Sequence, residues 1–90
     1  MKRKQHLRNQ FEVINKLSKQ YKEGRATELK TIGNAIVTLA DIESDFDCEA
    51  FIRPLVEKLI ERLSNMVYNQ FPDSIVYYGI LDVRDDKNSD

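Results

Sequence analysis

Cysteine occurs once in this chain, at position 48, so no disulfide can close within it and a disulfide-stapled scaffold is excluded. Histidine also occurs once, at His6, and tryptophan not at all. A single His and a single Cys far apart in sequence leave no Cys-x-x-Cys and no His-Glu-x-x-His, and no motif joins the two as a nucleophile pair. Three glycines form neither a glycine-rich phosphate loop nor a Gly-x-Ser-x-Gly elbow. There is no charged-then-apolar leader and no run of about 18 apolar residues, so the expectation is a cytoplasmic, bacterial-type protein with no signal peptide and no membrane contact. Taken together, these absences argue for no catalytic residues, no cofactor, no metal and no enzyme.

What is present is helix-forming and charged. Ninety residues suit one domain, and 41 % hydrophobic residues with two prolines are too apolar for general disorder. A chain this short buries only roughly 60–65 % of its unfolded surface, so help from a partner is physically reasonable. The net charge of -1 hides an uneven distribution: residues 1–30 hold nine Lys and Arg against three acidic residues, and residues 31–90 hold five against twelve. The first part is thus +6 and the rest -7, a polarity that can be satisfied within the chain, between copies or by an outside partner.

Hydrophobic spacing predicts a small all-α, three- to four-helix antiparallel assembly, and a homodimer is expected because short helices gain from sharing a core. Over residues 1–24, Phe11, Ile14, Leu17 and Tyr21 fall on one helical face, with Lys16, Lys19 and Lys22 as a basic ridge opposite and Gly24 closing the helix. Over 27–42, Leu29, Ile32, Ile36 and Leu39 repeat the pattern behind a capping Thr27. The stretch 48–70 carries Ile52, Leu55, Val56, Leu59, Ile60, Leu63, Met66 and Val67, a stripe wide enough for two neighbours, with Asp47 as cap. In that helix Pro54 lies past the first turn and predicts a kink or a false start, since an interior proline costs roughly 3 kcal/mol. Residues 72–84 are open between a short helix, favoured because an isolated strand has no partner, and a strand, suggested by Ile75-Val76-Tyr77-Tyr78. Residues 85–90 read as a polar tail.

Glu28, Ile32, Gly33, Ala35, Ile36 and Leu39, followed by an acidic turn and then by Phe51, Ile52, Leu55, Leu59, Ile60 and Leu63, resemble the AriR (YmgB) family of small enterobacterial regulators of biofilm formation and acid resistance. The Ile-Gly-x-Ala-Ile-x-x-Leu core is the most specific part of a resemblance that spans about residues 27–65. A looser similarity runs from Asp82 to Asp86. The first 25 residues lie outside the resemblance, and Pro54 departs from the family's pattern. The resemblance implies a homodimer acting on other proteins in signalling or transcription.

The acidic residues Asp41, Glu43, Asp45 and Asp47 crowd the turn between the second and third helices. They lack the glycine and the twelfth-position glutamate of a calcium loop, and a solvent-exposed turn lacks the apolar setting that tunes a carboxyl as an acid. Their expected uses are complementing the N-terminal end of the third helix and meeting a basic patch on a partner protein. Tyr77 and Tyr78 with Phe71 offer a second amphipathic surface. Phe11, Ile14, Leu55, Leu59 and Leu63 are the expected dimer contacts. The first reading is therefore a non-enzymatic regulator working by protein–protein interaction in biofilm or stress signalling or transcription. The alternative is a phage- or plasmid-borne inhibitor or immunity-type protein whose acidic half blocks a basic site on an enzyme. Direct nucleic-acid binding through Lys2, Arg3, Lys4 and Arg8 ranks third, because the charge is present but a recognition motif is not.

Overall fold

Three helices and a hairpin follow one another along the chain: α1 (Lys2–Ser18), α2 (Glu23–Glu43), α3 (Arg53–Gln70), β1 (Ser74–Tyr77) and β2 (Ile80–Val83). This is a computed structural model, and it describes residues 2–45 and 47–84, with side chains from residue 5 onward. Phe46 and the tail at 85–90 lie outside the described residues. The molecule is mostly helical without being all-α.

The segment after α3 corrects the helix favoured for it. β1 and β2 pair antiparallel with Ser74 opposite Val83, Ile75 opposite Asp82, Val76 opposite Leu81 and Tyr77 opposite Ile80. The missing partner for the β-branched, aromatic run is the next four residues of the same segment. Tyr78 and Gly79 form the two-residue turn, both with positive φ, 53° and 76°. Positive φ at both turn positions is the backbone of the type I′ hairpin, whose twist matches that of the strands.

The helix ends differ from the expectation as well. α1 stops at Ser18, whose hydroxyl donates to the Asn15 carbonyl at 2.9 Å, so the helix does not run to Gly24. Gly24 instead belongs to the first turn of α2. Thr27 is not the cap: its hydroxyl donates back to Glu23 O at 3.0 Å inside the helix. Lys22 occupies the cap position of α2, which separates it from Lys16 and breaks the basic ridge expected on one helix. Of the two readings of Pro54, the false start agrees with the helix: α3 starts at Arg53, with Pro54 in its first turn, where a missing N–H costs nothing, so no kink is needed. Asp47 lies upstream of that start and does not cap it. Its own N–H donates to Asp45 Oδ1 at 3.0 Å.

The core forms where the three helices and the hairpin converge. Ile14 and Leu17 of α1, Leu29 and Ile36 of α2, Val67 of α3, Phe71, and Leu81 of β2 are buried. Each such side chain contributes roughly 1.5–3 kcal/mol by leaving water. The α1–α2 crossing is close because Gly33 is there: a Cβ at that position would lie 3.0 Å from Ile14 Cγ1. Tyr21 meets Phe71 edge to face at 5.2 Å, and Arg25 lies 4.9 Å over the Phe71 ring centroid. Burial, before any other influence, raises the Tyr21 hydroxyl above its ordinary value.

Polar anchors fix the hairpin against the helices. Leu81 N–H donates to Gln10 Oε1 at 2.7 Å within the core, which ties β2 to α1. The Tyr68 hydroxyl donates to the Val76 carbonyl and ties β1 to α3. At the turn, a Cβ on Gly79 would sit 2.6 Å from Ala40 Cβ, so only glycine lets the turn rest on α2 while holding its positive φ.

Candidate recognition groove

Resting the hairpin on α2 and α3 opens a groove of about 540 Å³ along α3, beside the C-terminal end of α2. From α3 it receives Glu57, Glu61, Ser64 and Tyr68, from α2 Glu43, and from the hairpin Tyr77 and Tyr78. Steps of four, three and four residues put 57, 61, 64 and 68 on one face of α3. The buried Val56, Ile60 and Val67 occupy the adjoining face.

The walls are aromatic and the charges acidic. Tyr77 and Tyr78 stand nearly perpendicular, with centroids 6.3 Å apart and planes at 85°. Tyr78 is 94 % exposed, and among the described residues it is the non-glycine residue with positive φ. Asparagine, aspartate or glycine suits that turn position far better than a bulky ring. Its pairing with Tyr77 is the contact that favours a ring there, and backbone outliers of this kind gather at functional sites.

Glu43 corrects the expectation that the acidic turn is wholly solvated. It is the last residue of α2 and half-buried, and its Oε2 is shielded from solvent with no hydrogen-bond partner among the described residues. Burial raises its carboxyl above the ordinary 4.5, and the charge of Glu57 raises it further, as does the bond that the protonated acid can make to Glu57. Arg53 opposes the rise as the smallest influence. Its Nη2 donates to the Asp45 carbonyl at 3.1 Å. Glu43 and Asp41 also sit in the last turn of α2, which carries no basic residue, at the negative end of the helix dipole. Asp41 and Glu43 thus do not complement the start of α3. They add to the negative end of α2.

The other residues singled out from sequence are dispersed. Asp41 and Asp45 are half-buried and Asp47 is exposed, and all three border a shallower cavity with Cys48 and Ile52. His6 and Asp41 line a small cavity on the far side of Tyr78, so His6 and Cys48 are not brought together. Of the expected dimer contacts, Ile14 lies in the chain's own core, and Leu63 is half-buried against that core. Phe11, Leu55 and Leu59 are exposed at 39 %, 59 % and 47 %. Met66 is exposed too, so three of the eight stripe residues, Leu55, Leu59 and Met66, form an outer apolar ridge, continued before the helix by the exposed Phe51. Phe71 is fully buried and does not join Tyr77 and Tyr78 at the surface. Arg8 is exposed on α1, while the side chains of Lys2, Arg3 and Lys4 lie outside the described residues.

Glu57, Glu61 and Tyr68 were not singled out from sequence. Their helical spacing was the available signal, but only the folded hairpin gives that face an opposite wall. Among the described residues no group of three metal-ligating side chains is found, and no helix is long and apolar enough to cross a membrane. No family model, no curated protein and no solved structure matches this chain.

Proposed function

We propose that this is a small non-enzymatic regulatory protein that works by protein–protein contact, taking a basic segment of a partner into the acidic, tyrosine-walled groove. The observation that carries the reading is the convergence of Glu43, Glu57 and Glu61 with Tyr68, Tyr77 and Tyr78 on one groove. A cation in that groove would relieve the repulsion between carboxylates and the charge at the end of α2, and it could also meet ring faces. The resemblance to the AriR family supports a place in biofilm or stress signalling or transcription. It also supports a homodimer, for which the ridge of Phe51, Leu55, Leu59 and Met66 is the candidate contact. An inhibitor that blocks a basic site would use the same charges. A recess that receives a chain favours capture of a segment over occlusion of an enzyme's cleft.

Titration of the full chain with a twelve-residue peptide rich in Lys and Arg, followed by tyrosine fluorescence, tests the reading. Saturable binding is expected, weakening as salt rises from 0.02 to 0.2 M because added ions screen the exposed charges. The double variant Glu57→Gln, Glu61→Gln should bind at least about ten-fold more weakly, a loss of about 1.4 kcal/mol. No binding, or binding indifferent to these two changes, would remove the proposal.

A further inference from the structure

The part of the groove that holds Glu43 and Glu57 is more specific than a general acidic surface. Glu43 and Glu57 are neighbouring carboxyls on different helices, and the solvent-shielded Oε2 of Glu43 has no partner among the described residues. Both line the groove, as does the perpendicular pair Tyr77 and Tyr78. We propose that this part of the groove is a lysine site, in which the ammonium of a lysine on a partner protein sits between the half-buried Glu43 and the exposed Glu57 carboxylates while its alkyl stem lies in the corner between Tyr77 and Tyr78. The inference rests on the basic-segment reading above and narrows it to one side chain.

Three features favour lysine over arginine. Two carboxyls that can share a proton converge on a point, and a compact ammonium with three donors can replace a proton there, whereas a planar guanidinium needs two acceptors spread in its own plane. Perpendicular rings offer a corner for a narrow stem and a cation, whereas guanidinium gains most by stacking flat on one face. Arg53, the cation that acts on Glu43 from α3, donates from Nη2 to the Asp45 carbonyl and is not among the residues that line the groove.

Charges around the pair set the proton balance. Asp41 lies on the same helical turn as Glu43, Glu57, Glu61 and Arg53 come from α3, and His6 of α1 and Tyr78 of the hairpin border the adjoining cavity. Where Glu43 holds a proton, an arriving ammonium sends it to solvent. Where both groups are ionised, binding releases none.

The test uses the full chain and the capped peptide Ala-Ala-Lys-Ala-Ala, with counterparts carrying arginine, Nε-acetyl-lysine or norleucine at the centre, read by NMR shifts of the tyrosine rings and the Glu43 and Glu57 carboxyls. Lysine should saturate these shifts, arginine should bind at least about three-fold more weakly, and the two neutral peptides should not bind. Calorimetry in buffers of different ionisation enthalpy should detect proton release at acid pH that fades as pH rises through the raised value of the Glu43 carboxyl. Glu43→Gln should abolish that release together with the lysine preference. Tyr78→Asn should weaken lysine binding without lowering the melting temperature, so a folding defect cannot mimic the result. Equal binding of lysine and arginine would overturn the lysine site and leave the basic-segment reading standing. Failure of all these peptides and of the twelve-residue peptide would overturn both. Spermidine competing more strongly than any peptide would make this a site for free amines and overturn the inference.

Discussion

Glu43 and Tyr78 are the two residues where local energetics run against the fold. A carboxyl raised above its ordinary value stabilises the fold fully below that value, and the contribution is lost as pH rises through the raised one. Glu43 therefore burdens the fold at neutral pH and not at acid pH, and the window opens at 4.5 and extends upward. Glu43→Gln should raise the melting temperature at pH 7 by a few degrees, in line with roughly 1 kcal/mol for relieving an unsatisfied buried group, and the gain should vanish near pH 4. Thermal unfolding of both proteins across that range measures it, and a gain that does not depend on pH would contradict the assignment. For Tyr78→Asn the expected change is a small rise in stability, up to about 1 kcal/mol, because asparagine tolerates the left-handed turn better than tyrosine. A marked fall would mean that the ring supports the hairpin after all.

At the level of elements, α3 and the hairpin are where sequence patterning alone is least decisive. An interior proline would cost about 3 kcal/mol, and its replacement would return much of that. In the first turn it costs little, so Pro54→Ala should change unfolding free energy by less than about 0.5 kcal/mol. Chemical denaturation distinguishes the two outcomes. The hairpin is too short to stand alone and is held by Gln10, Tyr68 and the close seat of Gly79 on Ala40. Gln10→Leu leaves the buried Leu81 N–H without its acceptor and should cost about 1–3 kcal/mol. Amide exchange should then accelerate first in residues 74–83. Uniform acceleration throughout the chain would show that the hairpin does not open as a separate unit.

Considered as a whole molecule, α3 turns three faces to three tasks. One closes the core, one lines the groove, and a third, with Leu55, Leu59 and Met66, faces outward. If that ridge joins two copies, light scattering at micromolar concentration should give about twice the 10.5 kDa of the chain. Leu59 is 47 % exposed, so Leu59→Asp should dissociate the pair while leaving helicity intact. A monomer at every concentration would exclude this contact, and an unfolded variant would place Leu59 in a core. Steps of three and four apolar residues made three helices legible, along with the inward positions Ile14, Leu17, Leu29, Ile32, Ile36, Val56, Ile60 and Val67, because helical period and the expulsion of apolar groups from water are properties of a segment by itself. The acidic character near Glu43 was legible for the same reason. Tertiary structure alone decided that residues 74–83 pair with each other, that Leu55, Leu59 and Met66 of the α3 stripe stay uncovered, and that Glu43 shares a groove with Glu57 and Tyr78. Those outcomes depend on which surfaces meet across the chain, and the contacts that fix them join residues as distant as Gln10 and Leu81.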